Sequence, residues 1–280
     1  MKRGTYLLGR SQDAGLPQAG CYCANCRDAR DGRLPRGLAA SLAIVDHIAR
    51  ASWIIDATPD FREQLHLLHE LAPECSLKGI FLTHAHIGHY TGLMHLGREC
   101  MNTRALDVFA TSALGAFLSS NGPWSQLVRA GNIRLNQIRP GKAIRLGEAL
   151  TIEPLLVPHR DEYSDTVAYL MREPAHSLFY CPDIDRWQQW PQDLSEFLSQ
   201  VNIALLDGTF FSQDELPNRN MAEVPHPLVR DTVAAIAGTK CAVRFIHLNH
   251  SNPLNREGAE RDWLRSRGFD VAYEGNFWEL

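Results

Sequence analysis

The chain has 280 residues, of which 45% are apolar and 21% charged, with a formal net charge of −4. That is globular composition in a chain long enough to bury most of its apolar surface. The slightly acidic balance argues against a nucleic-acid partner, and no apolar run reaches membrane-spanning length. The opening MKRGTYLLGR has two basic residues but no sustained apolar stretch behind them, so no secretory signal is expected.

In chain order, GTYLLG is the first strand candidate, followed by a cysteine-rich stretch at 20–27. SLAIVDH and SWIIDA read as further strands, being rich in β-prone residues and bounded by turn residues. FREQLHLLHELA places Phe61, Leu65, Leu68 and Leu71 at a helical period. GIFLTHAH (79–86) is an apolar strand ending where a run of histidines begins, and TGLMHLGREC after it reads as helix. LDVFAT, NIRLNQI, LTIEPLLVPH, DTVAYLM and HSLFYCPD are strand candidates, then DRWQQWPQDLSEFLSQV is a helix interrupted by Pro191. NIALLDGTF, CAVRFIHLNH and FDVAYE close the strand series, with helices expected in PLVRDTVAAIAG and REGAERDWLRSRG. Strands in series with helices between them predict packed sheets with helices outside, in an α/β fold.

Four of these strands, FLTHAH, LLVPH, LFYCPD and FIHLNH, end in a histidine or aspartate. Side chains at strand ends are held rigidly, as a metal centre requires. In HAHIGH, His84 and His86 are two apart and can point the same way, and His89 follows after a turn eased by Gly88. Neutral imidazole suits zinc, iron, manganese and copper. A lone histidine is usually a packed or solvated residue, but three within this short span point to a metal site.

Cys21, Cys23 and Cys26 form a C-x-C-x-x-C cluster, while the other four of the seven cysteines are scattered. An odd count with one tight cluster reads as reduced thiols around a structural zinc, in a cytoplasmic protein. A closed zinc site needs four protein ligands. His226, in VPHPLV, is one candidate for the fourth.

The motifs LTHAHIGHYTGLMHLGRE, LLDGTFFSQDEL and FIHLNHSNPLNREG resemble those of the metallo-β-lactamase-fold metallohydrolase superfamily. Within it, the chain is similar over most of its length to the pyrroloquinoline-quinone biosynthesis B family. Through GCYCANCR and HLNH it is similar to the phosphonate-pathway phosphodiesterases that open cyclic phosphates. The resemblance implies a single metallo-β-lactamase-like domain over 1–280. Its form would be an αββα sandwich of two mixed β-sheets with helices on the outer faces and an N-terminal zinc loop.

It also implies a ligand set. His84, His86 and His159 would hold a first metal, His89 and His247 a second, and Asp183 would bridge the two. The superfamily writes its motif H-x-H-x-D-H, and Gly88 stands where the second-metal aspartate is expected. That loss should weaken the second metal most, although Asp161 or Glu162 could supply a replacement carboxylate. Asp185 competes with Asp183 for the bridging place. The phosphodiesterases complete the cysteine cluster with a histidine matching His250, which ranks that residue above His226. His226 then matches a general acid, and Asp207 is expected to orient a ligand imidazole or to cap the DGTF turn.

The expected function is metal-dependent hydrolysis of a phosphodiester or related ester in a small-molecule substrate, with a metal-activated hydroxide and one or two zinc, manganese or iron ions. The alternative is an iron-dependent oxygenase like the quinone-biosynthesis family, to which a one-metal site would be suited. A non-catalytic scaffold ranks third.

Overall fold

The computed structural model describes residues 3–215 and 224–280. Its strands are β1 (Arg3–Gly9), β2 (Ser41–Asp46), β3 (Ala51–Ile55), β4 (Ser76–Phe81), β5 (Leu106–Ala110), β6 (Ile133–Gln137), β7 (Ile144–Arg145), β8 (Thr151–Val157), β9 (Thr166–Arg172), β10 (Ser177–Cys181), β11 (Ile203–Asp207), β12 (Ala242–Ile246), β13 (Asp270–Val271) and β14 (Phe277–Glu279). They form two seven-stranded mixed sheets, ordered β14-β1-β2-β3-β4-β5-β6 and β13-β12-β11-β10-β9-β8-β7. In each sheet part of the ladder is antiparallel and part is parallel.

Period-2 alternation sorts the strand residues into layers. Leu7, Leu42, Ile44, Phe81, Tyr169, Tyr180, Leu205 and Ile246 meet between the sheets in one cluster. Their neighbours Tyr6, Leu8, Ala43 and Val45 face the opposite way, into an outer layer. There they meet α2 (Phe61–Leu71), α4 (Ser112–Ser120) and α5 (Trp124–Arg129). The second sheet is covered by α6 (Leu194–Leu198), α7 (Val229–Ala235) and α8 (Ala259–Arg265). Short helices α1 (Ala24–Arg30) and α3 (Ile87–Tyr90) lie beside the cysteine cluster and the histidine run. The strands are apolar on both faces because both faces are covered. The result is the αββα sandwich expected from the motifs.

Packing anchors the site side of the sandwich. Phe81, the last residue of β4, stacks on Phe109 with ring centroids 4.3 Å apart and meets Tyr169 edge-on at 5.7 Å. Losing such a ring from a core costs roughly 3–5 kcal/mol. The Tyr169 hydroxyl donates to the Leu82 carbonyl at 2.7 Å, tying β9 to the turn that carries the histidines.

Some elements are shorter than the sequence patterns predict. TGLMHLGREC forms only a 3-10 turn over Thr91–Leu96. The 185–201 segment splits at Pro191 into a 3-10 turn at Trp187–Gln189 and α6, because proline lacks the donor that a continuous helix needs. FDVAYE pairs only at β13. The unexpected β14 pairs with β1 and closes the first sheet. Among the described residues no helix is long and apolar enough to cross a membrane.

Candidate metal centre

The ends of β3, β4, β8, β10, β11 and β12 converge with the loop after β1. His84 and His86 follow β4, His159 follows β8, Asp183 follows β10 and His247 follows β12. The donor atoms of His84, His86 and His159 lie within 4.8 Å of one another. Each ring is fixed from behind. His84 donates from Nδ1 to the Thr83 hydroxyl at 2.9 Å, and that hydroxyl donates onward to Asp56. His159 donates from Nδ1 to Asp185 at 2.8 Å, and His86 from Nε2 to Glu162 at 3.0 Å. Such partners set the tautomer and aim the remaining nitrogen. Those remaining nitrogens face inward: Nε2 of His84 is buried without a hydrogen-bond partner, and Nδ1 of His86 lies 3.2 Å from Nε2 of His159. Burial pulls the pKa of His84 well down, and the neighbouring His89 lowers it further. Burial also lowers His86. Neutral imidazole is the ligating form.

A second group lies beside the first. Asp13, His89 and His247 place their donor atoms within 4.8 Å of one another. Asp13 Oδ1 is 3.2 Å from His89 Nε2 and 3.1 Å from His247 Nε2. His89 donates from Nδ1 to Asp56 at 2.7 Å, and His247 from Nδ1 to the Thr209 hydroxyl at 2.9 Å. Burial pulls the His89 pKa down, but the carboxylates of Asp56, Asp183 and Asp13 outweigh it and raise the value well above normal. Burial likewise opposes ionisation of Asp13, yet its bonds to His247 and His89 hold its pKa well below the usual range.

Asp183 stands between the groups. Its Oδ2 is 3.2 Å from His89 Nε2 and 3.4 Å from His247 Nε2, and its Oδ1 is 3.7 Å from His159 Nε2. Oδ2 is buried with no hydrogen-bond partner. Burial disfavours its charge, but His247 and His89 hold its pKa well below the ordinary value. Unpartnered donor atoms on His84 and Asp183, within a concentration of imidazole and carboxylate, fit metal ions and suit nothing else so well. Two site residues, Asp56 (φ 67°) and His247 (φ 59°), hold left-handed backbone, a conformation costing roughly 1–3 kcal/mol that clusters at functional sites.

The remaining candidates also find places. Asp185 lies behind His159 rather than between the groups. Glu162 backs His86 from outside, and the carboxylate grouped with His89 and His247 is Asp13 rather than Glu162 or Asp161. Asp207 does not touch a histidine of either group. It accepts from Nδ1 of His226 at 2.8 Å, from Thr209 and from the Ile184 amide. Burial lowers the His226 pKa, but Asp207 outweighs it and raises the value. The hydrogen-bond partners of the His226 ring are thus Asp207 and Thr209 and not the cysteines. His250 joins Cys21, Cys23 and Cys26 in a group whose donor atoms lie within 4.8 Å, its Nδ1 being 3.5 Å from both Cys21 and Cys23 Sγ.

Asp13 and Asp56 were not among the expected site residues. Asp56 directly follows β3, so the strand-end signal extends to it. Asp13 is four residues past β1, and only the tertiary fold brings it to His89, 76 positions away. A cleft of about 590 Å³ opens beside the centre, lined by Asp13, His86, Tyr90, Trp124, Arg160 and Tyr163. A second, of about 310 Å³, reaches His226 beside Arg186 and Gln213.

Two facing mixed sheets with histidine and aspartate donors at their strand ends define a metal-binding, hydrolase-like protein of the metallo-β-lactamase fold. Residues 53–264 match the family model of the β-lactamase superfamily domain, and the chain belongs to that superfamily. It is similar to the coenzyme PQQ synthesis protein B of Ruegeria pomeroyi, with 29% identity over 96% of this chain and 97% of the relative. The same protein of Klebsiella pneumoniae is 27% identical, over 96% of each chain. Among solved structures, the Zn(2+)-bound PqqB from Methylobacterium extorquens superposes with a TM-score of 0.84 and 22% identity, covering 99% of this chain and 100% of that one. A diphosphatase from the PhnP family gives 0.72 and 22%, covering 100% and 98%. At that identity the two structures establish the fold alone.

Proposed function

We propose that the chain hydrolyses a phosphodiester or related ester of a small molecule. The supporting observation is the position of Asp183, which turns one oxygen toward His159 and the other toward His89 and His247. A carboxylate so placed suits a pair of ions, the first held by His84, His86 and His159 and the second by His89 and His247. When bound, the ions supply Lewis acidity and lower the pKa of a water molecule.

The chain's own residues do the rest. Arg160 and the aromatic walls of Tyr90, Trp124 and Tyr163 receive an anionic ester bearing an apolar group. A water that has given up one proton to solvent adds to the phosphorus or carbonyl carbon, the bond to the leaving oxygen breaks, His226 gives that oxygen a proton, and solvent reprotonates His226. Asp207 holds His226 by its Nδ1, leaving Nε2 to face the reacting group. Cys21, Cys23, Cys26 and His250 would hold a separate structural zinc that pins the N-terminal loop to the segment after β12. All seven cysteines are free thiols, in keeping with a reducing, cytoplasmic compartment.

The test is metal analysis of the purified chain paired with a screen of phosphodiesters and carboxylic esters. Two active-site equivalents of zinc or manganese, one further zinc, and hydrolysis lost in His84→Ala and His159→Ala support the reading. Full activity in both variants overturns it. The second reading is an oxidative step in coenzyme synthesis with a single iron. It is favoured by the similarity to the PQQ synthesis B proteins along 96% of the chain. One iron per chain with substrate-dependent oxygen uptake would establish it instead.

A further inference from the structure

We propose that Asp13 is the carboxylate ligand of the second ion, supplied from the loop after β1 to the place vacated at position 88. The inference rests on the reading that His89 and His247 hold an ion, and it explains how they do so without an aspartate in their own motif.

Three observations carry it. First, the space above Gly88 is filled. A Cβ built on Gly88 would lie 2.3 Å from Asp13 Cγ, 2.5 Å from its Cβ and 2.6 Å from its Oδ1. No real side chain tolerates such contacts, so a residue with a side chain at 88 and the present position of Asp13 exclude each other. The glycine is therefore the condition for the aspartate rather than a lost ligand. Secondly, Asp13 Oδ1 is nearly equidistant from Nε2 of His89 and of His247, at 3.2 and 3.1 Å. Both rings are committed through Nδ1 to Asp56 and Thr209, so their Nε2 atoms converge on this oxygen and on Oδ2 of Asp183, which stands between the two groups. Thirdly, the loop is built to hold this position. The Gln12 amide donates to the Leu248 carbonyl at 2.9 Å, and the Leu248 amide to the Arg10 carbonyl at 2.9 Å. Ser11 bridges to both Ala39 and Leu248. The segment bearing Asp13 is thus stitched to the residue that follows His247.

The relocation keeps the donor atom and the negative charge but moves them to a different part of the chain. It also places a ligand on the wall of the larger cleft, where Asp13 is a lining residue.

The experiment counts zinc or manganese bound to the full chain, with affinities from chelator competition and no substrate present. Wild type, Asp13→Ala and the exchange variant Asp13→Gly/Gly88→Asp are compared. Asp13→Ala is expected to keep the first active-site ion and the ion at the cysteine group. Its affinity for the second ion should fall by more than the roughly 10–100-fold that follows loss of an outer hydrogen-bond partner. The exchange variant, which clears the clash and restores a carboxylate, is expected to recover most of that loss. Unchanged binding of the second ion by Asp13→Ala overturns the proposal. A wild-type chain with a single active-site ion overturns both the proposal and the two-ion reading. Because no substrate is used, absent ester hydrolysis would overturn the proposed reaction and leave the ligand assignment standing.

Discussion

Asp56 accepts a hydrogen bond from His89 Nδ1 at 2.7 Å, and both side chains are buried. The same carboxylate accepts from the Thr83 amide at 2.8 Å and from the Thr83 hydroxyl, which in turn holds His84. One aspartate at the end of β3 thereby orients a histidine in each donor group. Asp56→Ala would leave the Thr83 amide and the His89 Nδ1–H buried without acceptors. Removing one member of such a buried pair costs roughly 3–5 kcal/mol. A clear drop in the thermal midpoint is expected, and Asp56→Asn should lose 10–100-fold in second-ion affinity with a smaller drop. Thermal melts and chelator competition on both variants check this. Wild-type affinity in Asp56→Asn would mean that the carboxylate only packs.

Asp185 has the corresponding role for His159, whose Nδ1 it accepts at 2.8 Å. His159 is buried but Asp185 is partly exposed, so water can take the place of the lost acceptor, and the cost in stability should be smaller than for Asp56. Asp185→Ala is expected to weaken the first ion by about 10–100-fold and leave the second nearly unchanged. The opposite pattern to Asp13→Ala makes the pair a measurement of which ion is which.

Much of this was legible because strand-end residues announce themselves. An apolar run broken by His or Asp identifies His84, His159, Asp183 and His247 without any knowledge of what they face. Between Asp183 and Asp185 the sequence favours Asp183, which stands nearer the end of β10, while the turn of Asp185 behind His159 depends on the direction of the chain after Pro182. Asp56 carries the same strand-end mark as the others, but its role lies behind His89 rather than beside an ion. Asp13 carries no local mark. Its place depends on the pairing of residues 10–12 with Leu248, a contact between the two ends of the chain. Gly88 looked like a missing ligand because a motif records which residue is present and not what fills the space over it. Short elements escaped for a different reason: β14 has only three residues, too few for alternation to show.

The cysteine group ties the loop of Asp13 to the segment after His247. Cys26 is fully buried, and Asn25 donates to the carbonyls of His250 and Asn252 at 2.9 and 3.0 Å. Cys23→Ser is expected to release one equivalent of zinc and lower the thermal midpoint, since metal affinity at such a site is folding free energy. Because the same loop carries Asp13, second-ion affinity should fall as well while the first ion stays. Zinc released on thiol modification, followed by total metal analysis, separates the two effects. Retention of zinc and of the wild-type melt in Cys23→Ser would show that the group does not hold a metal.

His226 is buried against Asp207 and lies 5.5 Å, ring to ring, from His159. A proton donor contributes roughly 10²–10⁴-fold to a rate. His226→Gln should lose about that much in kcat on esters with a poor leaving group, and much less where the leaving oxygen is already a stable anion. Metal content should be unchanged. A uniform loss across leaving groups would assign His226 to substrate binding rather than to proton delivery.

Glu215 provides a pH dependence separate from the metal centre. It accepts from the Phe211 amide at 2.8 Å and from the Ser251 hydroxyl, and burial pushes its pKa from 4.5 up to about 7 despite those bonds. Between those two values the folded chain binds more protons than the unfolded chain, so stability falls as pH rises. The contribution of the neutral carboxyl is complete below pH 4.5 and is lost as pH climbs through about 7. Glu215→Gln keeps an acceptor for the Phe211 amide and cannot ionise. Denaturant midpoints taken from pH 5 to pH 8 should therefore decline less steeply in Glu215→Gln than in wild type, with the variant the more stable of the two at pH 8. Parallel curves would mean that Glu215 titrates near its ordinary value in the folded chain.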